Sequence, residues 1–372
     1  MKIGLTLLLA LLPTLAAAQT SAVPSRDAVM AVVTREASAE TARQKGLDAQ
    51  AERSRHTPSG VFLAAAMRLD IADVRDYAVH ATTGTATMAF GDVHESLYIQ
   101  GGTSDTLMPL RQKLDSTLAD LTRTPAPKRP AWGCEALFLT PAVYARMSML
   151  THDAKYLHAM DTAWQRASDG LWDAGTHVPA CGAFGKTMTL ADESAVIAGL
   201  TRVLEVMPAD FPSRPRYVEQ YQEMAARLIT LQDANGLWRH DTSNTALTAY
   251  ALAFGLNHGL LDRATYLPPV LSAWAGLNRD IRPDGLLDGN ADVSGAFILA
   301  GLEIAKLDDP ATPLPSPVIV HTSDAMLPET ERPAGAFDPS NARHQAQAYP
   351  ATRAVAPDPV TDDPSDRSPL PR

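Results

Sequence analysis

The sequence predicts an all-α fold whose helices pair into hairpins. Twelve such helices would close into a six-hairpin α/α toroid, an (α/α)6 barrel; an open α-solenoid is the alternative. Three observations predict this. First, three amphipathic runs end in the same kind of turn. Residues 153–168 lead into Asp169-Gly170-Leu171-Trp172, residues 213–232 into Asn235-Gly236-Leu237-Trp238, and residues 263–281 into Asp284-Gly285-Leu286-Leu287. Such a recurrence means hairpins laid side by side. Glycine supplies the positive φ that the turn needs, and a preceding Asp or Asn tolerates the same region. Second, no window alternates apolar and polar residues with β-branched enrichment, so strands are not expected. Third, Pro109, Pro130, Pro141, Pro208, Pro212 and Pro268 fall near the joins, which suits loops and first helical turns.

The elements follow in order. Residues 1–18 read as a signal peptide: Lys2 is the charged start, Ile3 to Leu15 the apolar stretch, and Ala16-Ala17-Ala18 a cleavage site. The mature chain is therefore expected in a periplasm or outside the cell. No later segment is apolar for the roughly 18 residues of a membrane span. Helices are expected over 26–48 (one or two), 59–80, 92–100, 104–122, 134–150, 153–168, 190–207, 213–232, 242–258, 263–279 and 291–306. The stripe Leu107, Leu110, Leu114, Leu118 and Leu121 is typical of them. Residues 19–306 thus form one folded domain. Residues 307–372 are proline-rich without apolar periodicity, so the tail is expected to be disordered.

Charge and cysteine content narrow the function. The net charge of −10 has no basic stripe to oppose it, which argues against nucleic acid. An acidic ligand would need local cations, and Arg239 with His240, Arg282 and Lys186 are the candidates. In an oxidising compartment the two cysteines, Cys134 and Cys181, can form an intrachain disulfide. No His/Cys spacing suggests a metal, and no cofactor is expected.

Four segments carry a family resemblance. Trp132-Gly133-Cys134-Glu135-Ala136-Leu137-Phe138-Leu139-Thr140-Pro141 resembles the Trp-x-Asp-x-Leu-Phe-Met-x-x-Pro segment of glycoside hydrolase families 88 and 105. Val196 to Pro208 resembles their "VMAGLARVLEYLP" helix, Tyr250 to Asp262 their "YALAWGINxGLLD", and Ser294 to Gly301 their closing "GAFLLAG". The resemblance covers about residues 130–306 and implies the six-hairpin barrel of unsaturated glucuronyl and rhamnogalacturonyl hydrolases. It implies hydration of a C4–C5 double bond in a lyase-generated uronic acid. A carboxyl protonates C4 and assists water onto C5, and the hemiketal then opens. Burial can tune one carboxyl for both tasks.

Aligned with one inserted residue, Glu135 stands at the family's catalytic Asp. Asp92, in Gly91-Asp92-Val93-His94-Glu95, is the candidate for the second carboxylate, with helix capping as its plainer reading. Where the family has Trp-x-Arg-Gly-Asn-Gly-Trp, this chain has Thr189-Leu190-Ala191-Asp192-Glu193-Ser194-Ala195. Two acids, Asp192 and Glu193, replace the uronate-binding cation, and an anionic sugar would be repelled there. The family's Glu-Thr-Ser-Gly-Thr segment persists as Asp241-Thr242-Ser243-Asn244-Thr245. The expected binding set is Trp132, Trp172, Trp238, Arg239, Asp192, Glu193, Thr242 and Ser243, with Phe184 and Tyr98 as further aromatic platforms. Trp164 and Trp274 fall inside helical stripes and are expected in the core. The implied function is a divergent unsaturated uronyl hydrolase acting on an oligosaccharide. The alternative is a non-catalytic carbohydrate-binding or scaffolding relative that kept the barrel.

Overall fold

The computed structural model describes residues 22–50, 57–83, 87–124, 134–173, 178–179 and 189–308, with only the backbone described at 134–135, 170–173 and 178–179. The expectations placed on the signal peptide, Trp132, Phe184, Lys186, Cys181 with its disulfide, and the tail beyond residue 308 lie outside the described residues or side chains.

Twelve α-helices are present among the described residues: α1 (Arg26–Gln50), α2 (Gly60–Ala66), α3 (Ala72–Thr82), α4 (Gly91–Ile99), α5 (Ser104–Thr122), α6 (Cys134–Thr151), α7 (Ala154–Leu171), α8 (Leu190–Val206), α9 (Arg214–Ile229), α10 (Thr242–Asn257), α11 (Arg263–Arg279) and α12 (Ala291–Ile304). The even-numbered helices form an inner ring. Each packs on the next, from α2 through α4, α6, α8 and α10 to α12, and α12 returns to α2. The odd-numbered helices lie outside them, as α7 does on α6 and α11 on α10. Ring closure selects the toroid over the open solenoid. The only strands among the described residues are β1 (Trp172–Asp173) and β2 (Val178–Pro179), an antiparallel pair.

Sequence explains the two layers. An inner helix is covered on all sides, so it must be apolar or small all round. In α10 every residue from Asn244 to Gly255 is buried. Outer helices keep one wet face, as in α9, where Tyr217, Tyr221, Met224, Ala225 and Leu228 are buried and the charged positions are not.

Two of the three glycine turns repeat each other bond for bond. Asp233 N donates to Leu237 O (2.8 Å) and Gly236 N to Asp233 O (2.9 Å). Arg282 N donates to Leu286 O (2.8 Å) and Gly285 N to Arg282 O (2.9 Å). Asn235 and Asp284 each accept from the amide two residues on, at 3.1 Å. Gly236 (φ 86°) and Gly285 (φ 89°) hold the left-handed positions. The third expected turn differs: Asp169-Gly170-Leu171 is helical, because α7 continues to Leu171 before β1 begins. The two glycine turns lie on outer-to-inner connections, ahead of α10 and α12, and the third segment forms the C-terminal end of α7.

Two other expectations are corrected. The run 59–80 is not one helix. It breaks at Asp70, a left-handed residue (φ 52°) that ends a 3-10 turn over Met67–Leu69. Asp tolerates that conformation, so no Gly or Pro marked the break. Pro109, Pro141 and Pro268 do not sit at joins but inside α5, α6 and α11, beyond the first turn. Each removes one backbone donor, and packing between the layers holds the helix despite that loss. Pro208 and Pro212 do lie in the α8–α9 connection.

Candidate functional site

The outer-to-inner connections gather the N-termini of the inner helices on one face. Side chains cap several of them. Ser59 Oγ accepts from Phe62 N (3.0 Å), Asp241 Oδ1 from Asn244 N (2.7 Å), and Asn290 Oδ1 from Asp292 N and Val293 N (3.0 and 3.2 Å). Glu135, the second residue of α6, belongs to this face by its backbone position.

Beneath the face a charged network crosses the barrel. Asp92, in the first turn of α4, is 5% exposed. Arg146 Nη1 of α6 donates to its Oδ1 (3.1 Å), and Arg202 of α8 pairs with its other oxygen. Arg202 Nη1 also donates to Phe138 O (2.6 Å), and its guanidinium lies over the Phe138 ring, 4.9 Å from the centroid. Arg68, after α2, makes a two-pronged bond to Glu205 of α8 (3.1 and 2.9 Å). Arg146 Nη2 lies 3.7 Å from Glu205 and Nη1 lies 3.9 Å from Glu95. Burial alone would raise the Glu205 carboxyl; the Arg68 and Arg146 charges outweigh it and hold the group down at about 2. Glu95 is the opposite case. It is wholly buried, neither oxygen has a hydrogen-bond partner, and burial pushes its carboxyl well above the ordinary range against the pull of Arg146.

Arg68, Asp92, Phe138, Arg146 and Arg202 line a cavity of about 10 Å³, at the lower limit for a single water. No sugar ring fits there. The candidate site is therefore sought above that space, at the inner-helix N-termini.

The other expected site residues are placed as follows. Asp192 completes a capping box on α8: its carboxylate accepts from Thr189 N (2.9 Å) and Thr189 Oγ1 accepts from Asp192 N (3.3 Å). Glu193 turns outward to α9, where Arg227 Nε and Nη2 donate to it at 3.0 Å each. Neither acid converges with Asp92. Trp238 is a correction: it is fully buried, and its Nε1 donates to Leu228 O (2.7 Å), so it fills the core rather than stacking on sugar. Arg239 is exposed beside it in a left-handed conformation (φ 53°), as is His240 (φ 54°). Thr242 and Ser243 are half-buried in the first turn of α10. Tyr98 is half-buried in α4, and the backbone of Trp172 lies in β1. Trp164 and Trp274 are buried in the core. No carboxylate or histidine cluster suited to a metal occurs among the described residues.

Sequence reasoning missed Arg68 and Arg146 as partners in the barrel interior. The available clue was a charge inside an otherwise apolar inner helix, as with Arg146 in Val143-Tyr144-Ala145-Arg146-Met147. Such a residue must be paired within the barrel.

Fold and face together define a six-hairpin α/α barrel with its candidate site at the inner-helix N-termini. The model of Glycosyl Hydrolase Family 88 matches residues 75–298, and the chain belongs to that family. It is 29% identical over 225 residues to an unsaturated 3S-rhamnoglycuronyl hydrolase of Formosa agariphila, a match covering 48% of this chain and 58% of that relative. The chain thus spans under two thirds of the relative's length. Two solved structures share the fold at 18% identity each. A polysaccharide lyase gives a TM-score of 0.63, over 76% of this chain and 98% of that one. A family 88 glycosyl hydrolase from Bacteroides vulgatus gives 0.62, over 76% and 99%. No helix among the described residues is long and apolar enough to cross a membrane.

Proposed function

We propose that this protein is a divergent unsaturated uronyl hydrolase, exported to a periplasm or beyond, that hydrates the C4–C5 double bond of lyase-generated oligosaccharides. Family membership and the named relative support the reaction class. The observation that carries the assignment of roles is the double guanidinium contact on Asp92. A carboxylate held between two cations stays ionised, so Asp92 is a fixed negative charge and not the proton donor. Asp192 and Glu193 are engaged in a cap and an ion pair. Glu135, at the start of an inner helix on the inner-helix N-terminal face and aligned with the catalytic Asp of the families the sequence resembles, is the proposed general acid/base. It delivers a proton to C4 and then takes one from the water that adds at C5. Arg239, Thr242 and Ser243 lie on the same face and are the proposed contacts to the sugar, joined by Trp132 and Trp172 from the neighbouring connections. Export would carry Cys134 and Cys181 into conditions that favour their pairing.

The Glu135→Gln variant tests this on an unsaturated uronyl disaccharide. Loss of absorbance from the conjugated double bond should slow by at least about 10²-fold. A fully active variant removes Glu135 from the mechanism. The second reading, a carbohydrate-binding relative without catalysis, draws on the acids Asp192 and Glu193 where the family has its cation. Wild-type protein that binds such oligosaccharides but turns over none of them would establish it.

A further inference from the structure

We propose that Asn244, in the first turn of α10, is a specificity-determining residue whose side-chain amide binds the pair of adjacent hydroxyls on the unsaturated sugar. This rests on the reading of the inner-helix N-termini as a sugar-binding face.

The argument begins with an unpaired amide. Asn244 is 9% exposed, and its backbone N–H donates to Asp241 Oδ1 at 2.7 Å. Its side-chain carbonyl and amino group make no hydrogen bond among the described residues. The next residue is fully engaged: Thr245 Oγ1 accepts from Trp238 N (2.9 Å) and donates to Asp241 O (2.6 Å). An Asn buried this far is ordinarily paired, because an unmade bond costs the desolvation of the group. Glu95 and Tyr250 also carry unpaired oxygens, but those are sealed inside the protein. The Asn244 amide is not sealed, so a ligand can reach it.

The packing of α8 on α10 explains why no protein group answers it. The two helices run the same way, and Ser194 Oγ of α8 meets Thr248 Oγ1 of α10 at 3.0 Å. One helical turn nearer the N-termini, Asn244 stands on the Thr248 side of α10, and Leu190 and Ala191 stand on the Ser194 side of α8. Neither of those side chains has a polar atom, and Ala191 is exposed and small.

The amide sets the ligand chemistry. Nδ2 donates and Oδ1 accepts, side by side and uncharged, which fits two neighbouring hydroxyls. An unsaturated uronyl ring uses C1 in the glycosidic bond and C4 and C5 in the double bond, with the carboxyl on C5. Its free hydroxyls are the adjacent pair on C2 and C3.

An unsaturated uronyl disaccharide and its 2-deoxy and 3-deoxy analogues test this on the whole protein. Affinity is read as KM, or by calorimetric titration where there is no turnover. The wild type should bind each deoxy analogue about 10-fold more weakly than the parent sugar. Asn244→Leu should weaken the parent by about 10-fold and bind all three sugars alike. The free amide adds no bond to the folded state, so Asn244→Leu should melt at or above the wild-type temperature, where a structural role would lower it. Unchanged affinity in that variant, or a wild type that does not discriminate against the deoxy sugars, overturns the proposal. If Asn244→Leu does not fold, Asn244→Ala is read in the same way. Affinity that depends on Asn244 without any turnover ends the hydrolase reading and keeps this one. Turnover with an affinity indifferent to Asn244 does the reverse, and a wild type that binds none of the three sugars ends both.

Discussion

Replacing Asp92 with Asn separates a structural anion from a mechanistic one. The substitution keeps the shape and one acceptor oxygen but removes the charge that two guanidiniums share. Asp92 is 5% exposed, so water cannot take its place. Breaking a buried pair by removing one partner costs about 3–5 kcal/mol, because the other charge stays buried and uncompensated. Here Arg146 retains Glu205 at 3.7 Å and Arg202 retains the Phe138 carbonyl at 2.6 Å. Those contacts place the loss at the lower end, about 3 kcal/mol. For a folded unit of this size that is a fall of roughly 6–10 °C in melting temperature. Thermal and urea unfolding followed by circular dichroism report it directly. The Asp92→Asn, Arg202→Met pair should recover part of the loss, since it removes a cation together with the anion. Coupling between the two sites should therefore exceed about 1 kcal/mol. A single variant melting within about 1 °C of the wild type, or strictly additive losses in the double variant, would refute the account of the network.

Two smaller perturbations test the turns. Gly236→Ala and Gly285→Ala both force an L side chain into the left-handed region, at about 1–2 kcal/mol each. A Cβ at Gly236 would also lie 2.2 Å from the backbone oxygen of Ser272, whereas at Gly285 its nearest neighbour is the flexible Arg35 side chain at 3.4 Å. The urea midpoint should therefore fall clearly further for Gly236→Ala, and equal falls would show that the close approach carries no cost. Glu36 of α1 accepts from Ser294 Oγ (2.6 Å) and Leu287 N (3.3 and 3.2 Å). Burial raises its carboxyl above the ordinary value despite those bonds. The folded state then holds a proton that the unfolded chain has released, so stability falls as pH rises from about 4.5 through the raised value. The wild type should gain stability relative to Glu36→Gln on going from pH 7.5 to pH 5, and a constant difference across that range would count against the assignment.

The fold was legible because its physics is local and repetitive. An inner helix that is apolar all round, an outer helix with one wet face, and a glycine turn between them are each written within about twenty residues. The turns at Asn235-Gly236 and Asp284-Gly285 form the same hydrogen bonds from different flanking sequences. The misses were local also. Asp70 adopts the left-handed conformation without glycine, and α7 runs through Gly170 because an interior glycine weakens a helix without ending it. Pro141 suggested a boundary, yet α6 continues past it between α4, α7 and α8, where tertiary contacts outweigh one lost backbone bond.

The site was less legible because its residues are chosen by partners from distant helices. Nothing near Asp92 in the sequence predicts Arg146 and Arg202 as its neighbours, and nothing near Glu193 predicts Arg227. Its place in the segment that resembles the family's cation-bearing one nominated Glu193 as a ligand contact; geometry turns it onto α9. That outward turn removes one objection to an anionic substrate. A paired Glu193 and a capping Asp192 present far less free negative charge to the face than two solvated acids would. Repulsion at the start of α8 is then weaker than the sequence implies, and Arg239, exposed on the same face, can set the local potential. Loss of the family's cation at one helix therefore does not by itself preclude uronate binding: what decides the matter is the summed field over the inner-helix N-termini, and that field depends on which acids are already partnered.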